Sequence, residues 1–287
     1  MISYNQKKKA ETFQAFHHAD QLFVLPTIWN PGSAKIYEKM GFQALSTTSA
    51  GIAYSFGYTD GEKLPFELLS QLIHRIASRI TVPLSVDMEG GYGNTGEEVQ
   101  MNARQLIENG AVGLNLEDGI AQQEIQSMEV MKEKISALAQ LKDELGLNFL
   151  INARTDLYWN DPYPIKETLG LAIERGNQYK ESGADCIFIP GVTSYETIGH
   201  LVQEIDCPLH VLLSKEVNDI RRLNRLGVKR VSLGSGPARV VMQQVIEGAE
   251  KMHSNEFTSL LSSDVSYATA NEFFDVEKKE PPRWGYQ

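Results

Sequence analysis

Cysteine is scarce: Cys186 and Cys207 are the only two in 287 residues. They have no CxxC spacing, and each lies in or beside an apolar run. A disulfide framework is therefore not expected, and the setting read from the thiols is a reducing, cytoplasmic one. Long apolar runs are missing as well, so no membrane-spanning segment is expected. Lys7-Lys8-Lys9 is followed by Glu-Thr-Phe-Gln-Ala-Phe-His-His, not by the apolar core of a signal peptide, and reads as a solvated helix face. Positive charge is outnumbered, 27 Lys and Arg against 37 Asp and Glu, for a formal net charge of −10. Such a surface repels nucleic acid and acidic headgroups, which argues against both as partners. No linker, low-complexity run or charge block divides the chain, so one domain over 1–287 is expected.

What is present is 42% apolar residues in a repeated pattern. Eight short β-type runs occur: Leu22–Pro26, Ala44–Thr48, Leu84–Met88, Val112–Leu116, Phe149–Ala153, Cys186–Pro190, Leu209–Leu213 and Arg230–Leu233. Most are nearly continuous in apolar residues, as strands covered on both faces are. Amphipathic stretches alternate with them: Ala34–Met40, Pro65–Ile80, Gly96–Asn109, Ser127–Leu145, Ile165–Ser182, Tyr195–Ile205, Val217–Leu226 and Pro237–Glu250. Gly41, Gly110, Gly146, Gly183 and Gly227 stand where left-handed helix caps belong. Eight strand–helix units in this length predict an α/β fold, a closed (β/α)8 TIM barrel. A helix within 1–20 would cap the barrel bottom. The tail, 251–287, holds Phe273-Phe274 and Pro281-Pro282-Arg283-Trp284 and reads as helical and packed, on the barrel or on a neighbouring subunit.

Barrel chemistry sits where strands end. Pro83 to Gly93, PLSVDMEGGYG, begins as a buried strand and ends with Asp87 and Glu89. Side chains two apart on a strand share a face, so the two carboxylates would converge and call for a cation or a shared proton. The second strand ends in Thr47-Thr48-Ser49-Ala50-Gly51, a hydroxyl-rich turn suited to a carboxylate or phosphonate, or a plain Ser/Thr turn. Asp60 follows on a loop. The fourth strand runs into Glu117 and Asp118, and the fifth into Arg154 and Asp156. No histidine lies among these acids, so an oxygen-only set would select Mg²⁺ or Mn²⁺ over zinc. Arg154 would present a fork to a carboxylate or phosphoryl oxygen. The competing reading of the same residues is a structural ion-pair network beneath the loops.

The segments SVDMEGGYG, GLNLEDG and INARTD, in this order and spacing, resemble the isocitrate lyase / phosphoenolpyruvate mutase superfamily over about residues 20 to 245. The resemblance implies a (β/α)8 barrel, often with the last helix exchanged between subunits, assembled as a homodimer or homotetramer. It also implies Mg²⁺ and a small 2-oxo or 2-hydroxy carboxylate, or a phosphono analogue, reacting through an enolate. Carried over residue by residue, Asp87 is the direct metal ligand, with Glu89 where relatives have a second Asp. Asp60 and Glu117 hold the metal's waters, and Arg154 takes the substrate carboxylate. Thr48, Ser49 and Ala50 fall on the substrate-gripping loop, and His210 falls near where relatives have Asn, as a substrate-binding group or as a satisfied core histidine. Gly191 replaces a family Glu. The Lys-Lys-Cys-Gly-His segment of the lyases is absent: residues 119–127 hold no Cys or His. Tyr54, Tyr58 and Tyr92 are then alternative hydrogen-bond or proton donors, or aromatic packing groups. Two rivals remain: a phosphate-binding barrel isomerase or aldolase using Gly234–Gly236, and a barrel that binds a metabolite without turning it over.

Overall fold

The computed structural model describes residues 2–120, 124–160 and 165–275. Its strands are β1 (Phe23–Val24), β2 (Thr27–Ile28), β3 (Leu45–Thr47), β4 (Leu84–Asp87), β5 (Gly113–Glu117), β6 (Gly119–Ile120), β7 (Glu124–Ile125), β8 (Leu150–Arg154), β9 (Cys186–Phe188), β10 (Leu209–Leu212) and β11 (Arg230–Ser232). The helices are α1 (Tyr4–His18), α2 (Pro31–Lys39), α3 (Ser49–Ser55), α4 (Phe66–Ala77), α5 (Gly96–Glu108), α6 (Met128–Leu145), α7 (Leu157–Asn160), α8 (Ile165–Glu181), α9 (Tyr195–Glu204), α10 (Ile220–Leu226), α11 (Gly236–His253) and α12 (Tyr267–Phe274).

The main sheet runs β1-β11-β10-β9-β8-β5-β4-β3-β2, and its pairings are parallel. Its two ends are one stretch of chain. β1 pairs with β11, and two residues later β2 pairs with β3. Leu25 N–H donates to Val231 O at 2.9 Å, and Pro26 O accepts from Ser46 N–H at 3.0 Å. Pro26 has no N–H to give, so the chain changes partner there, and the sheet closes into an eight-stranded TIM barrel. The strand runs and the helical stretches predicted from sequence all fall on these elements. Gly41, Gly110, Gly146, Gly183 and Gly227 all take positive φ.

The helices follow local chemistry. In α4, Leu69, Leu72, Ile73 and Ile76 are buried at helical spacing. In α5, Thr95 and Glu98 form a reciprocal capping box. At the barrel's lower end, Phe13 of α1 is fully buried and meets Phe23 and His17 edge-on. It sits over Gly113, where an added Cβ would lie 2.7 Å from Phe13 Cε1. α12 packs on α2: Phe273 is buried, and Lys39 Nζ donates to Glu272 O. α11 carries Val240, Val241, Met242, Val245 and Ile246 in exposed positions. Residues 119–125 include an antiparallel ribbon of β6 with β7. Residues 121–123 and 281–284, which the sequence reading singled out, lie outside the described residues.

Candidate active site

A cavity of about 90 Å³ opens among the strand ends. Its wall includes Thr48, Ser49, Ala50, Asp60, Asp87, Arg154 and His210 from the predicted set. Glu89 and Glu117 face an adjoining cleft of about 600 Å³ between the 61–63 loop, Gly93, Ile120 and Lys134. The predicted residues therefore form one rim, divided between two neighbouring spaces.

Asp87 ends β4. Its Oδ1 accepts from Asn115 Nδ2 at 2.9 Å and from Glu89 N–H at 3.4 Å, and its Oδ2 from Ser49 N–H at 3.3 Å. Thr47 Oγ1 accepts from Asp87 N–H, which fixes the strand end. The hydroxyl turn expected at 47–51 is instead the start of α3. Thr48 caps it by accepting from Gly51 N–H, and the Ser49 N–H goes to Asp87, not to open space. Gly51 is required there because a Cβ would come within 2.7 Å of Thr48 Cγ2 and 3.0 Å of Ala238 Cβ.

The convergence of Asp87 with Glu89 also needs correction. The strand ends at Asp87, and Glu89 takes φ +52, so the alternation of side chains stops between them. Glu89 Oε2 accepts from Gly61 N–H at 2.9 Å and Glu62 N–H at 2.7 Å, and Oε1 from the Tyr92 hydroxyl at 2.8 Å. This carboxylate is clasped by the neighbouring loop. Burial, then Asp87 and Asp60, push its pKa up to about 7.

The other acids are crowded in the same way. Glu117 is held above the ordinary carboxylate range by burial and by Asp156, Asp87 and Glu89, against the pull of Arg154. Asp60, on the exposed loop at the mouth, is raised by the protein around it and by Asp87; Ser49 partly offsets this with a hydrogen bond. Arg154 is the cation among them. Its Nε and Nη2 bond Asp156 at 2.5 and 2.9 Å, and its Nη1 meets Glu117 at 2.6 Å. Burial opposes its charge, but Glu117 and Asp156 more than offset this and raise its pKa. The guanidinium lies over Trp159 and Phe188. The Asp156 and Glu117 contacts together engage three of its five N–H groups, leaving one on each terminal nitrogen.

His210 is buried and stacked on Phe188, with ring centroids 3.8 Å apart. Nδ1 meets Asn152 Nδ2 at 3.2 Å and Nε2 meets Ser232 Oγ at 2.8 Å. With Asn152 donating to Nδ1, the ring proton sits on Nε2 and donates to Ser232. Burial, then Arg230, hold its pKa well below the ordinary value, so it is neutral. Asn152 also donates to Asn115 Oδ1 at 2.6 Å, completing a chain Asp87–Asn115–Asn152–His210–Ser232 across the barrel. The sequence reading assigned no role to Asn115, Asn152, Ser232 or Arg230. Polar residues at inward-facing alternate positions of otherwise apolar strands were the available signal. Gly191 follows β9 with φ +84, against Tyr158 and Trp159. Tyr54 and Tyr58 are exposed, and the Tyr92 hydroxyl is committed to Glu89. Gly234 and Ser235 border the cavity where α11 begins.

Among the described residues, no three His, Cys, Asp or Glu side chains are grouped so as to hold a metal by themselves. The donor chemistry nevertheless fits a hard cation. Asp60, Asp87, Glu89 and Glu117 are all oxygen donors, and burial, then neighbouring carboxylates, drive Asp60, Glu89 and Glu117 toward protonation. Arg154 is already shared between Glu117 and Asp156. An ion that keeps most of its own waters needs few direct protein ligands.

Residues 13–253 match the model of the family described as phosphoenolpyruvate phosphomutase. An uncharacterised protein of Mycobacterium tuberculosis is 31% identical over 245 residues, 85% of this chain and 90% of the relative. A 2-methylisocitrate lyase of Aeropyrum pernix is 28% identical over 197 residues, 66% of this chain and 60% of the lyase. A solved structure from Burkholderia cenocepacia, provisionally described as a lyase/mutase, is 29% identical and superposes with a TM-score of 0.89. It covers 98% of this chain and 100% of its own.

Proposed function

The chain belongs to the phosphoenolpyruvate phosphomutase family, and from that premise we propose that it is a divalent-metal-dependent enzyme of a small 2-oxo or 2-hydroxy carboxylate, or its phosphono analogue. The reaction breaks or rearranges a C–C or C–P bond and leaves an enolate of the substrate. The observation that carries this reading is the surplus of carboxylates at the strand ends, where Asp60, Asp87, Glu89, Glu117 and Asp156 gather and Arg154 pairs only with Glu117 and Asp156. A structural ion-pair network would balance its charges; this one does not.

Mg²⁺ or Mn²⁺ bound there would supply Lewis-acid stabilisation of negative charge on a substrate oxygen. Asp87 would hold the ion directly, with Asp60 and Glu117 toward its water shell. Asn115 and Ser49 N–H fix the orientation of the Asp87 carboxylate. The two remaining N–H groups of Arg154 would take the substrate carboxylate, and the indole of Trp159 shields that pair from water. Neutral His210 keeps Asn152 and Ser232 in place and is not an acid here. Thr48 and Ala50 shape the wall.

The exposed apolar face of α11 supports assembly with a second copy, as a homodimer or homotetramer. Among the described residues no helix is long and apolar enough to cross a membrane, and both cysteines are free; we place the protein in the cytoplasm on that basis. Turnover assays with oxaloacetate, phosphonopyruvate and 2-methylisocitrate, with Mg²⁺ and after EDTA, test the function. Consumption of at least one, abolished by EDTA and restored by Mg²⁺, is expected. Binding without consumption of any of them would favour a metabolite-binding barrel.

A further inference from the structure

We propose that Arg230 is a second anion-holding group of the cavity, so that the ligand is a dianion with one charged end at Arg154 and the other at Arg230. Arg230 is 1% exposed, borders the cavity, and has no hydrogen-bond partner for Nε or Nη1. Among the described residues no carboxylate lies within ion-pair distance of it. Its guanidinium is 6.0 Å from the ring of Phe13, which closes the barrel below. An ionised group buried without a partner is strongly unfavourable, and a chain that keeps one has a use for it.

The contrast with Arg154 sharpens the case. Arg154 has its donors shared out between Asp156 and Glu117. Arg230 has the same fork, with Nε and Nη1 buried and unpartnered. Burial lowers its pKa to about 10, which leaves it charged at neutral pH. A polar wall stands beside it. Because His210 Nε2 donates to Ser232 Oγ, the Ser232 hydroxyl keeps its own proton to give. Ser46 borders the same space. Asp87 borders the same cavity and, after Cys186, favours the guanidinium's charge without pairing with it. The cavity is small, about 90 Å³, which suits a small dianion. Small dicarboxylates and phosphonocarboxylates are the matching class. That choice of class rests on the oxyacid reading above; the anion site does not.

Thermal-shift and calorimetric titrations of wild type, Arg230→Gln and Arg230→Lys separate the two. Without Mg²⁺, inorganic phosphate is expected to stabilise wild type, and to bind Arg230→Gln at least tenfold more weakly, with Arg230→Lys between. With Mg²⁺, the preference for oxaloacetate over pyruvate should fall at least tenfold in Arg230→Gln, while pyruvate affinity changes little. The melting temperature of ligand-free Arg230→Gln should equal or exceed that of wild type, an outcome that a purely structural guanidinium would not give. Phosphate that fails to bind wild type, or an unchanged oxaloacetate-to-pyruvate ratio in Arg230→Gln, overturns the proposal. If phosphate depends on Arg230 but neither oxyacid binds, the anion site stands and the oxyacid reading falls. Should Arg230→Gln not fold, Arg230→Met serves in its place with the same expected outcomes.

Discussion

Asp87 accepts from a side-chain amide and two backbone N–H groups, all of which orient it without neutralising it. Its contribution to stability is therefore small beside its contribution to ion binding. Asp87→Ala is expected to weaken Mg²⁺ binding by more than about 100-fold, measured by calorimetry, while the melting temperature of the metal-free protein holds or rises. Tight Mg²⁺ binding by this variant would remove Asp87 as the anchor. Glu89 gives a pH signature. Its folded pKa of about 7 lies above the ordinary value of 4.5, so its protonated form is the one the fold favours. The stability it contributes is fully present below about pH 4.5 and is lost as pH rises through 7. The metal-free melting temperature should fall between pH 5 and 8, and the slope should flatten in Glu89→Gln, whose amide can still accept from the 61–62 backbone. An unchanged slope in Glu89→Gln would assign the titration elsewhere.

At the scale of elements, what could be read from sequence divides by distance along the chain. Strands such as Leu84–Asp87 and helices such as α4 declare themselves through local periodicity and caps. The placement of Glu89 does not, because its clasp comes from Gly61, Glu62 and a backbone turned left-handed at the strand end. α3 hid for a similar reason. Its Gly51 argues against a helix locally, and only the approach of Ala238 from the far end of the chain explains it. Arg230 heads a short run, Arg-Val-Ser-Leu, that reads as a strand, with no role for the Arg declared locally. Pairing of β11 with β1 and β10 puts that charge inside the barrel. The seating of α1 is testable at this scale. Gly113→Ala drives a methyl against Phe13 and should cost about 1–3 kcal/mol in denaturant unfolding. Phe13→Leu in the same chain should recover part of that loss, so the two changes are non-additive. Strict additivity would mean that the ring and the glycine do not share one space.

For the whole molecule, the question is where α11 rests. Ala238 at its start is buried beside Gly51, but Val240, Val241, Met242, Val245 and Ile246 stand open. Val240 is 64% exposed and Val245 67%, and they continue toward Phe257 and Leu261 on the following segment. An apolar face of this extent on an 18-residue helix is costly in water and marks an interaction surface. The surface of this chain carries a net charge of −10, so two copies meet favourably only where charge is sparse. Residues 240–242 and 245–246 carry no acidic or basic side chain. Light scattering at micromolar concentration should therefore give twice or four times the 32.1 kDa chain mass. Val245→Glu should shift the mass to that of one chain, with the circular dichroism spectrum unchanged, because a carboxylate buried in an apolar contact is unpaired there and solvated in the monomer. A wild type of single-chain mass, or a Val245→Glu protein that still assembles, would place the contact on another face and leave α11 without a partner.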